Sequence, residues 1–501
     1  MIHRMLKMKL RFTWIVVLLM GISFFSFAQI TLTIEEAMNI AEDNNPQMRT
    51  AKLNYMRTQY LLIAERAGLK PQFSMTVDPF SYSQTRSFDS YNSDYYTSKN
   101  LSSGGRFRTE LPFLLTDGVL SLTNRFSWSS NESQKASGTT LTERFSNNLQ
   151  LRYDQPLFTY NTRKLAMQRL EFDHENSGIS YALQRLRTEQ SITRQFYAVY
   201  MAQNTLEINR AELENAQKNF DIIKEKVEAE LSAREELFQA EVNLASAESS
   251  VQTAEVTLKN AKDDLKQTLG MPLKEDINVF VTTEVNTMLI DEERAIHSGL
   301  TSRMELRQRE ITMAEADLAM ITTKARNEFR GDITLSMGIT GDDPRFGDIY
   351  STPTNSPMVG ISFSIPIFDW GQRKARINAQ KATQVIAQLN YDNETVNIEN
   401  DIRQTLRELD NIRNQIGIAE KQVRNTQMTY ALNEIRYREG DLTGLQMSQY
   451  QTQLSNARTS LVRQQINYKT QMLNLKILTL YDFENDRPIV PVREISGFTI
   501  K

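Results

Sequence analysis

One short text is written twice in this chain. Residues 155–165 read QPLFTYNTRKL, and residues 364–375 read SIPIFDWGQRKA. In each, an apolar alternating run stops at a proline and a polar turn opens a long helix-forming stretch. Setting Pro366 on Pro156 also sets Phe368 on Phe158, Arg373 on Arg163 and Lys374 on Lys164, an offset of 210 residues. The offset persists downstream, with Asn414 on Asn204, Leu454 on Leu244, Ala457 on Ala247 and Leu475 on Leu265. A register held over about a hundred residues marks an internal repeat, which restricts the fold more than composition does.

Upstream the offset changes. AMNIAEDNNPQMR (residues 37–49) matches AIHSGLTSRMELR (residues 295–307) at 258 residues, so the first copy carries 48 residues more. They fall between Phe73 and Pro156, where Ser, Thr, Tyr, Asn and Gly abound. The organisation expected is a signal peptide over 1–28 and a first repeat over 29–272, with a β region near 71–157 and a helical hairpin near 160–270. A second repeat follows over 273–480, with a β region near 332–368 and a helical hairpin near 371–480, and then a tail over 481–501.

The β regions have period two. Ile333, Leu335, Met337 and Ile339 alternate with Thr334, Ser336, Gly338 and Thr340. Val359, Ile361, Phe363, Ile365 and Ile367 alternate with small or polar residues in the same way. In the first copy Phe73, Met75 and Val77 suggest one strand, Leu120, Leu122, Phe126 and Trp128 a second, and Phe145, Leu149, Leu151 and Tyr153 a third. Such strands have one apolar and one polar face. The helical regions step by three and four: Ile402, Leu406, Leu409, Ile412, Ile416, Ala419 and Val423 form a coiled-coil-like seam. No proline interrupts Gln372 to Arg438; Gly440 then breaks the pattern, and a second helix is predicted from about Leu445 to Leu480.

The N-terminus reads as a signal peptide. Arg4, Lys7, Lys9 and Arg11 precede an apolar run from Ile15, and Ser26-Phe27-Ala28 predicts cleavage before Gln29. The chain has no Cys, so neither a disulfide nor a lipidated N-terminus is expected. After Gln29 no apolar run approaches the roughly 20 residues of a spanning helix. The remaining way to cross a bilayer is a closed β-barrel, because lipid cannot satisfy open backbone N–H and C=O groups. The strands here are near the roughly 9–11 residues that span an outer membrane. One or two hairpins cannot close a barrel, so several chains must pool them, with Ile, Leu and Phe to lipid and Ser and Thr to an aqueous lumen.

The twin corners, TLTIEEAMNIAEDNNPQMRTAK near the start and IRYREGDLTGLQMSQYQTQLSNARTSL in the second helical hairpin together resemble the TolC-type outer-membrane efflux channel family. The resemblance covers nearly all the chain after the signal. It implies an α+β membrane protein of two tandem repeats: a homotrimer with a shared outer-membrane β-barrel, a periplasmic α-helical barrel and a mixed equatorial belt from Leu273–Ile290 and the tail. It also implies a passive duct of a tripartite efflux or type I secretion system, opened by a periplasmic adaptor and loaded by an inner-membrane RND or ABC pump. Family members usually give four strands per subunit. The 48 extra residues add a hairpin around LLTDG (Leu114 to Gly118) or lengthen an external loop.

The family's inner tip is held shut by polar links and narrowed by aspartates. Laid on this sequence, the gate tyrosine falls on Tyr437 and the tip glycine on Gly440, while the arginine position is Leu442. The two aspartates fall on Gln446 and Gln449. In the first copy Glu236, beside Glu235, stands where the second has Gln446, so an acidic mouth built from Glu236 is one reading and a solvated helix face the other. Pro156, Arg163, Pro366 and Arg373 mark the strand-to-helix corners. Docking of the adaptor is expected near Arg436 to Gly444 and Lys226 to Arg234.

No enzyme is expected. His3, His174 and His297 lack partners at metal-ligand spacing, Asp263-Asp264 and Glu292-Glu293 read as helix surface, and no phosphate-binding or nucleophile-elbow pattern occurs. No cofactor follows from these residues. Lys and Arg total 58 against 61 Asp and Glu, which argues against a nucleic-acid partner. The competing reading is a soluble periplasmic coiled-coil adaptor or scaffold, which the helices alone would fit.

Overall fold

The computed structural model describes residues 30–489 apart from 91, 92, 136, 137, 282–284, 286 and 440. The expected signal peptide, Gly440 and the last part of the tail lie outside the described residues. The chain divides into two compact units, each assembled from separate stretches, so neither unit is one repeat.

The first unit takes residues 30–51, 182–302 and 398–489 of the described chain. A short strand β1 (Ile30–Leu32) pairs in parallel with β6 (Ile277–Val279). Helix α1 (Ile34–Asn44) starts at a capping box, in which the Thr33 hydroxyl accepts from the Glu36 N–H and the Glu36 carboxylate accepts from the Thr33 N–H. Ala37 and Ala41 on this helix are fully buried against Ile192, Phe196 and Val199 of α3 (Thr162–Glu228). Leu265 and Leu269 of α4 (Arg234–Leu269) join them, with Ile277 and Val279. Burying each large side chain contributes roughly 1.5–3 kcal/mol. Gly270 ends α4 in the left-handed region (φ 73°), and a Cβ there would collide with the Asn44 carbonyl. Small residues thus let the end of α1 approach the end of α4.

The long helices of the second repeat are α7 (Gln372–Glu439) and α8 (Gly444–Thr479), close to the spans the heptad pattern predicts. The seam residues Ile402, Leu406, Leu409, Ile412, Ile416 and Ala419 are all buried, and Val423 is half-buried. Ile402 packs against Gly299 on α5 (Glu292–Ser302), where a Cβ would meet the isoleucine side chain. Two short strands, β9 (Tyr481–Asp482) and β10 (Arg487–Pro488), close the described chain as a hairpin. No helix among the described residues is long and apolar enough to cross a membrane.

The second unit takes residues 52–181 and 303–397. It holds most of α2 (Pro46–Gly68), the start of α3, α6 (Met304–Ala325) and the first part of α7. Its centre is one six-stranded sheet, antiparallel throughout, of β2 (Gln72–Asp89), β3 (Asp94–Pro112), β4 (Val119–Lys135), β5 (Gly138–Leu157), β7 (Arg330–Asp343) and β8 (Thr354–Ser364) in that order. The fold is therefore α+β, as expected. The strand count departs from the four that the resemblance implied. By the 258-residue offset, Arg330 at the head of β7 corresponds to Gln72 at the head of β2. By the 210-residue offset, β8 corresponds to the end of β5. The additional 48 residues therefore contain β3, β4 and the LLTDG turn joining them, a whole hairpin rather than a long loop.

One strand is shorter than its pattern. β8 stops at Ser364, and Ile365 and Ile367 lie beyond it, outside the ladder. Pro366 has no N–H to donate and restricts the residue before it, which ends the pairing.

Candidate functional site

The ladder registers sort every strand residue onto one of two faces. On one face Phe363, Ile361 and Val359 of β8 stand beside Gly331, Ile333 and Leu335 of β7. Leu335, Met337 and Ile339 continue across to Tyr153, Leu151 and Leu149 of β5, and these to Leu120, Leu122 and Asn124 of β4. Leu111, Thr109 and Phe107 of β3 and Phe73 and Met75 of β2 extend the rows. Many of these side chains are exposed; Met75 is 72% accessible and Val359 74%. A contiguous exposed apolar surface of this size needs a non-aqueous neighbour. Allowing for strand tilt, the apolar rows from Gly331 to Asp343 span on the order of 25 Å, the thickness of an outer-membrane band.

Aromatic residues mark one edge of that band. Ile349, 2% accessible, lies over Gly341, where a Cβ would collide with the Ile349 carbonyl. The β7–β8 connection is thereby folded onto the apolar face. Phe346 packs edge-on against Phe126 and Phe145, with ring centroids 5.7 and 5.9 Å away, and the Asn147 amide donates to the Tyr350 hydroxyl. Trp128 faces Phe145 in the next register. Beyond this level the face turns mostly polar, with Lys99 bonded to Glu132 across β3 and β4.

The other face is hydrophilic. Asn148 donates to Thr340 (2.6 Å), Thr334 donates to Asp154 (2.8 Å), and Arg152 pairs with Asp154 (2.7 Å). Arg144 reaches Asp342 at 2.8 Å, and Arg108 pairs with Glu110.

Both corners turn strand into helix through a residue of positive φ, Phe158 (59°) and Trp370 (55°). Each needs an acceptor for the free N–H groups at the start of its helix. In the second corner Asp369 supplies it locally, accepting from the N–H groups of Gly371 (3.0 Å) and Arg373 (2.8 Å). The Arg373 N–H holds the Asp369 carboxyl below the usual carboxylate range. The Arg373 guanidinium binds Glu328 and the Lys324 carbonyl. In the first corner the residue matching Asp369 is Thr159, which cannot carry that charge. The acid arrives instead from the additional hairpin. Asp117, 7% accessible in the LLTDG turn, accepts from the Thr162 N–H (2.9 Å), the Thr162 hydroxyl (2.7 Å) and the Arg163 guanidinium (2.7 Å). Burial raises the Asp117 pKa, but the Thr162 bonds and the Arg163 charge outweigh it and leave it below the ordinary value. Asn161 adds a cap by accepting from the Lys164 N–H and donates to the Leu114 carbonyl. Pro156 sits in the ladder opposite Asp332.

At the helix-hairpin ends, the Tyr437 hydroxyl donates to the Asn219 side-chain carbonyl at 2.8 Å, linking α7 to α3. Burial pushes the Tyr437 phenol up. The Asn219 amide also fills the space where a Cβ on Gly444 would stand. Thr443 and Gln446 form a capping box at the start of α8, with the Gln446 carbonyl accepting from the Thr443 N–H at 3.1 Å. Glu236 is held at the equivalent position of α4, where it accepts from the Ser232 hydroxyl. Glu235 and Gln449 are exposed.

Residues 300–479 match the model of the outer membrane efflux protein family. The fold is similar to that of the Campylobacter jejuni CmeC outer membrane channel, with a TM-score of 0.69 at 15% identity, covering 93% of this chain and 88% of that one. The match is to that stretch of the chain, and the fold is that of an outer membrane channel. The open-state MtrE outer membrane channel of Neisseria gonorrhoeae is also similar, with a TM-score of 0.64, 15% identity and 91% coverage of both chains. Among curated relatives, nodulation protein T of Rhizobium leguminosarum bv. viciae is 23% identical over 266 residues, 52% of this chain. The probable outer membrane lipoprotein SilC of Salmonella typhimurium is 20% identical over 296 residues, 58% of this chain. The chain spans 54% and 62% of the lengths of those two relatives. The family match over residues 300–479 and the fold are both those of outer membrane channel proteins.

Of the residues expected at the gate, Tyr437 makes a polar link, to Asn219, a residue that sequence reading did not single out. Gln446 and Glu236 fold back on their own helix starts, and Gly440 lies outside the described residues. Asp117 was also missed, because nothing in LLTDG says that the turn docks on a helix 45 residues later.

Proposed function

We propose that this chain is one subunit of a passive trimeric export duct through the outer membrane. A periplasmic adaptor would open it and an inner-membrane pump would load it. The observation that carries the reading is the sheet itself. It has an exposed apolar face and a polar face, and β2 and β8 stand at its two edges with one side unpaired among the described residues. In lipid an open edge leaves N–H and C=O groups without partners, so a second copy must pair β8 of one chain with β2 of the next until the ring closes. With three copies the wall has eighteen strands rather than the family's usual twelve, and diameter grows roughly linearly with strand number, so the bore is about half as wide again.

The helix-hairpin ends around Tyr437, Gln446, Gln449, Glu235 and Glu236 would form the inner mouth, held by the Tyr437–Asn219 link and its symmetry copies. The segments near Lys226 to Arg234 and Arg436 to Gly444 would receive the adaptor. No step in such a duct needs a cofactor.

The chain has no Cys, which makes the test direct. Single cysteines placed along β8 and β2 of the full-length protein should form disulfide-linked ladders up to three chains in outer membranes, at registers where the two strands pair. Failure to crosslink at any register, with the processed protein free in the periplasm, would favour the soluble scaffold instead.

A further inference from the structure

The hairpin that widens the sheet also changes the charge of its polar face. Arg106 on β3 and Arg125 on β4 are direct cross-strand partners in the register. Both side chains are exposed. The other arginines of this face each have a carboxylate: Arg108 has Glu110, Arg144 has Asp342, Arg152 has Asp154 and Arg330 has Asp332. Arg106 and Arg125 make no ion pair and no side-chain hydrogen bond among the described residues. Like charges set directly opposite each other in a ladder destabilise it. The pair also sits at the level of the apolar band, since Arg125 continues in register to Asn148 and Thr340, between the lipid-facing rows of Leu149 and Asn147. Of the flanking residues of the same face, Thr76, Thr123 and Ser127 are hydroxyl-bearing, and Asp78, opposite Gly104 and diagonal to Arg106, makes no ion pair with either arginine among the described residues.

Two guanidinium groups side by side present several N–H donors in planar forks, an arrangement that suits phosphate and carboxylate oxygens better than it suits each other. We propose that Arg106 and Arg125 form an anion-binding station in the membrane-level bore, repeated in each subunit, that favours phosphate- or carboxylate-bearing solutes over cations. This inference rests on the duct reading for its location in a bore. The polar-face geometry of the single chain stands without it. An anion lodged between the two arginines would neutralise a repulsion that the chain itself leaves uncompensated. Because the station lies on the added hairpin, a sheet without β3 and β4 would lack it.

The test uses the full-length purified protein and the double variant Arg106→Gln/Arg125→Gln, in two measurements. In planar bilayers under a potassium chloride gradient, the parent should give a reversal potential displaced toward chloride. The double variant should conduct at similar unitary current with its anion-to-cation permeability ratio lowered severalfold. In detergent, calorimetric titration with inorganic tripolyphosphate should show binding that the double variant weakens at least tenfold and that rising salt weakens further. An unchanged reversal potential together with equal tripolyphosphate binding in both proteins would overturn the station and leave the duct intact. A parent that conducts no ions would instead overturn the duct, and tripolyphosphate binding would then decide the arginine pair by itself. A variant that fails to fold would be replaced by Arg106→Lys/Arg125→Lys, which keeps the charge, loses the forks, and should weaken tripolyphosphate binding while preserving chloride preference. Equal tripolyphosphate binding by that variant would overturn the guanidinium assignment.

Discussion

Asp117→Ala should loosen the first strand-to-helix corner more than its surface position in the chain suggests. The carboxylate is 7% accessible and takes three hydrogen bonds from Thr162 and Arg163. Hydrogen bonds to a charged group are each worth about 1.5–3 kcal/mol net, and they are not additive when they share one acceptor. The negative charge also sits at the start of α3, worth about 0.3–1 kcal/mol against the helix dipole. Arg163 keeps its bond to the Asp117 carbonyl (2.9 Å) and is partly open to water, so its charge is not stranded when the carboxylate goes. Together these place the loss at about 3 kcal/mol per subunit for Asp117→Ala, and at about half of that for Asp117→Asn, which retains an acceptor for the Thr162 N–H. The assay is the temperature at which the purified oligomer loses its native migration on a gel run without boiling; Asp117→Ala should lower it by several degrees. The pH dependence gives an independent check. The folded pKa of Asp117 lies below its unfolded value, so the unfolded state binds protons first as pH falls. The stabilisation is complete above about pH 4 and is lost as pH falls through the folded pKa. The gap between parent and Asp117→Asn should therefore be constant near neutrality and close only below about pH 4. Equal melting of parent and Asp117→Ala at pH 7, or a gap that closes between pH 5 and 8, would refute the capping argument.

Three further outcomes follow from other parts of the molecule. Tyr437→Phe and Asn219→Ala should each cost about 1 kcal/mol of the link between α7 and α3, raising the open probability of the unliganded channel roughly fivefold in bilayer recordings, with no further rise in the double variant. Equal closed-state leak in all four proteins would remove Tyr437 from the gate. Met337→Arg should reduce folding into lipid vesicles by about 2–4 kcal/mol, whereas Ser362→Arg, exposed on the polar face opposite Asp332, should fold nearly as the parent does. A reversed ranking in urea titrations would invert the assignment of faces. Gly270→Ala should lower the melting temperature, since the left-handed backbone and the Asn44 carbonyl both oppose a Cβ, at a combined cost of about 1–3 kcal/mol.

Much of this architecture is legible in the sequence, for reasons visible at particular residues. The heptad of α7 runs from Ile402 to Val423 without a break, and burial follows it residue by residue. The middles of β7 and β8 read clearly because the apolar positions from Ile333 to Ile339 and from Val359 to Phe363 are filled without exception. β3 escaped notice because its lipid-facing positions include Ser103, Gly105 and Thr109, so the alternation is broken although the ladder is not. Gln446 has a use that the family position did not indicate. Family position suggested a pore-facing side chain, yet Thr443-Gly-Leu-Gln446 is itself the local signature of a capping box, and the side chain is used there. The Arg106–Arg125 juxtaposition has no local signature, because it depends on a register set by the LLTDG turn.

The additional hairpin also explains why the repeat tolerates an insertion at this point and what form the insertion must take. A strand crosses the bilayer once, so one extra strand would deliver Pro156 to the wrong side and leave α3 to begin outside the cell. Only an even number of strands restores the corner, and β3 with β4 is the smallest such addition. Period-two alternation sets a second condition: the new pair must enter in the register that keeps Leu120 beside Tyr153 and Leu111 beside Leu120, since a slip of one residue would turn every apolar side chain to the polar face. The LLTDG turn meets that condition from a fixed point. With Asp117 bonded to the first turn of α3, the hairpin is anchored at the same helix start that receives β5, and its register is tied to the corner rather than left to the strands alone. An insertion in the β7–β8 half would find no such anchor, because Asp369 already occupies that role there.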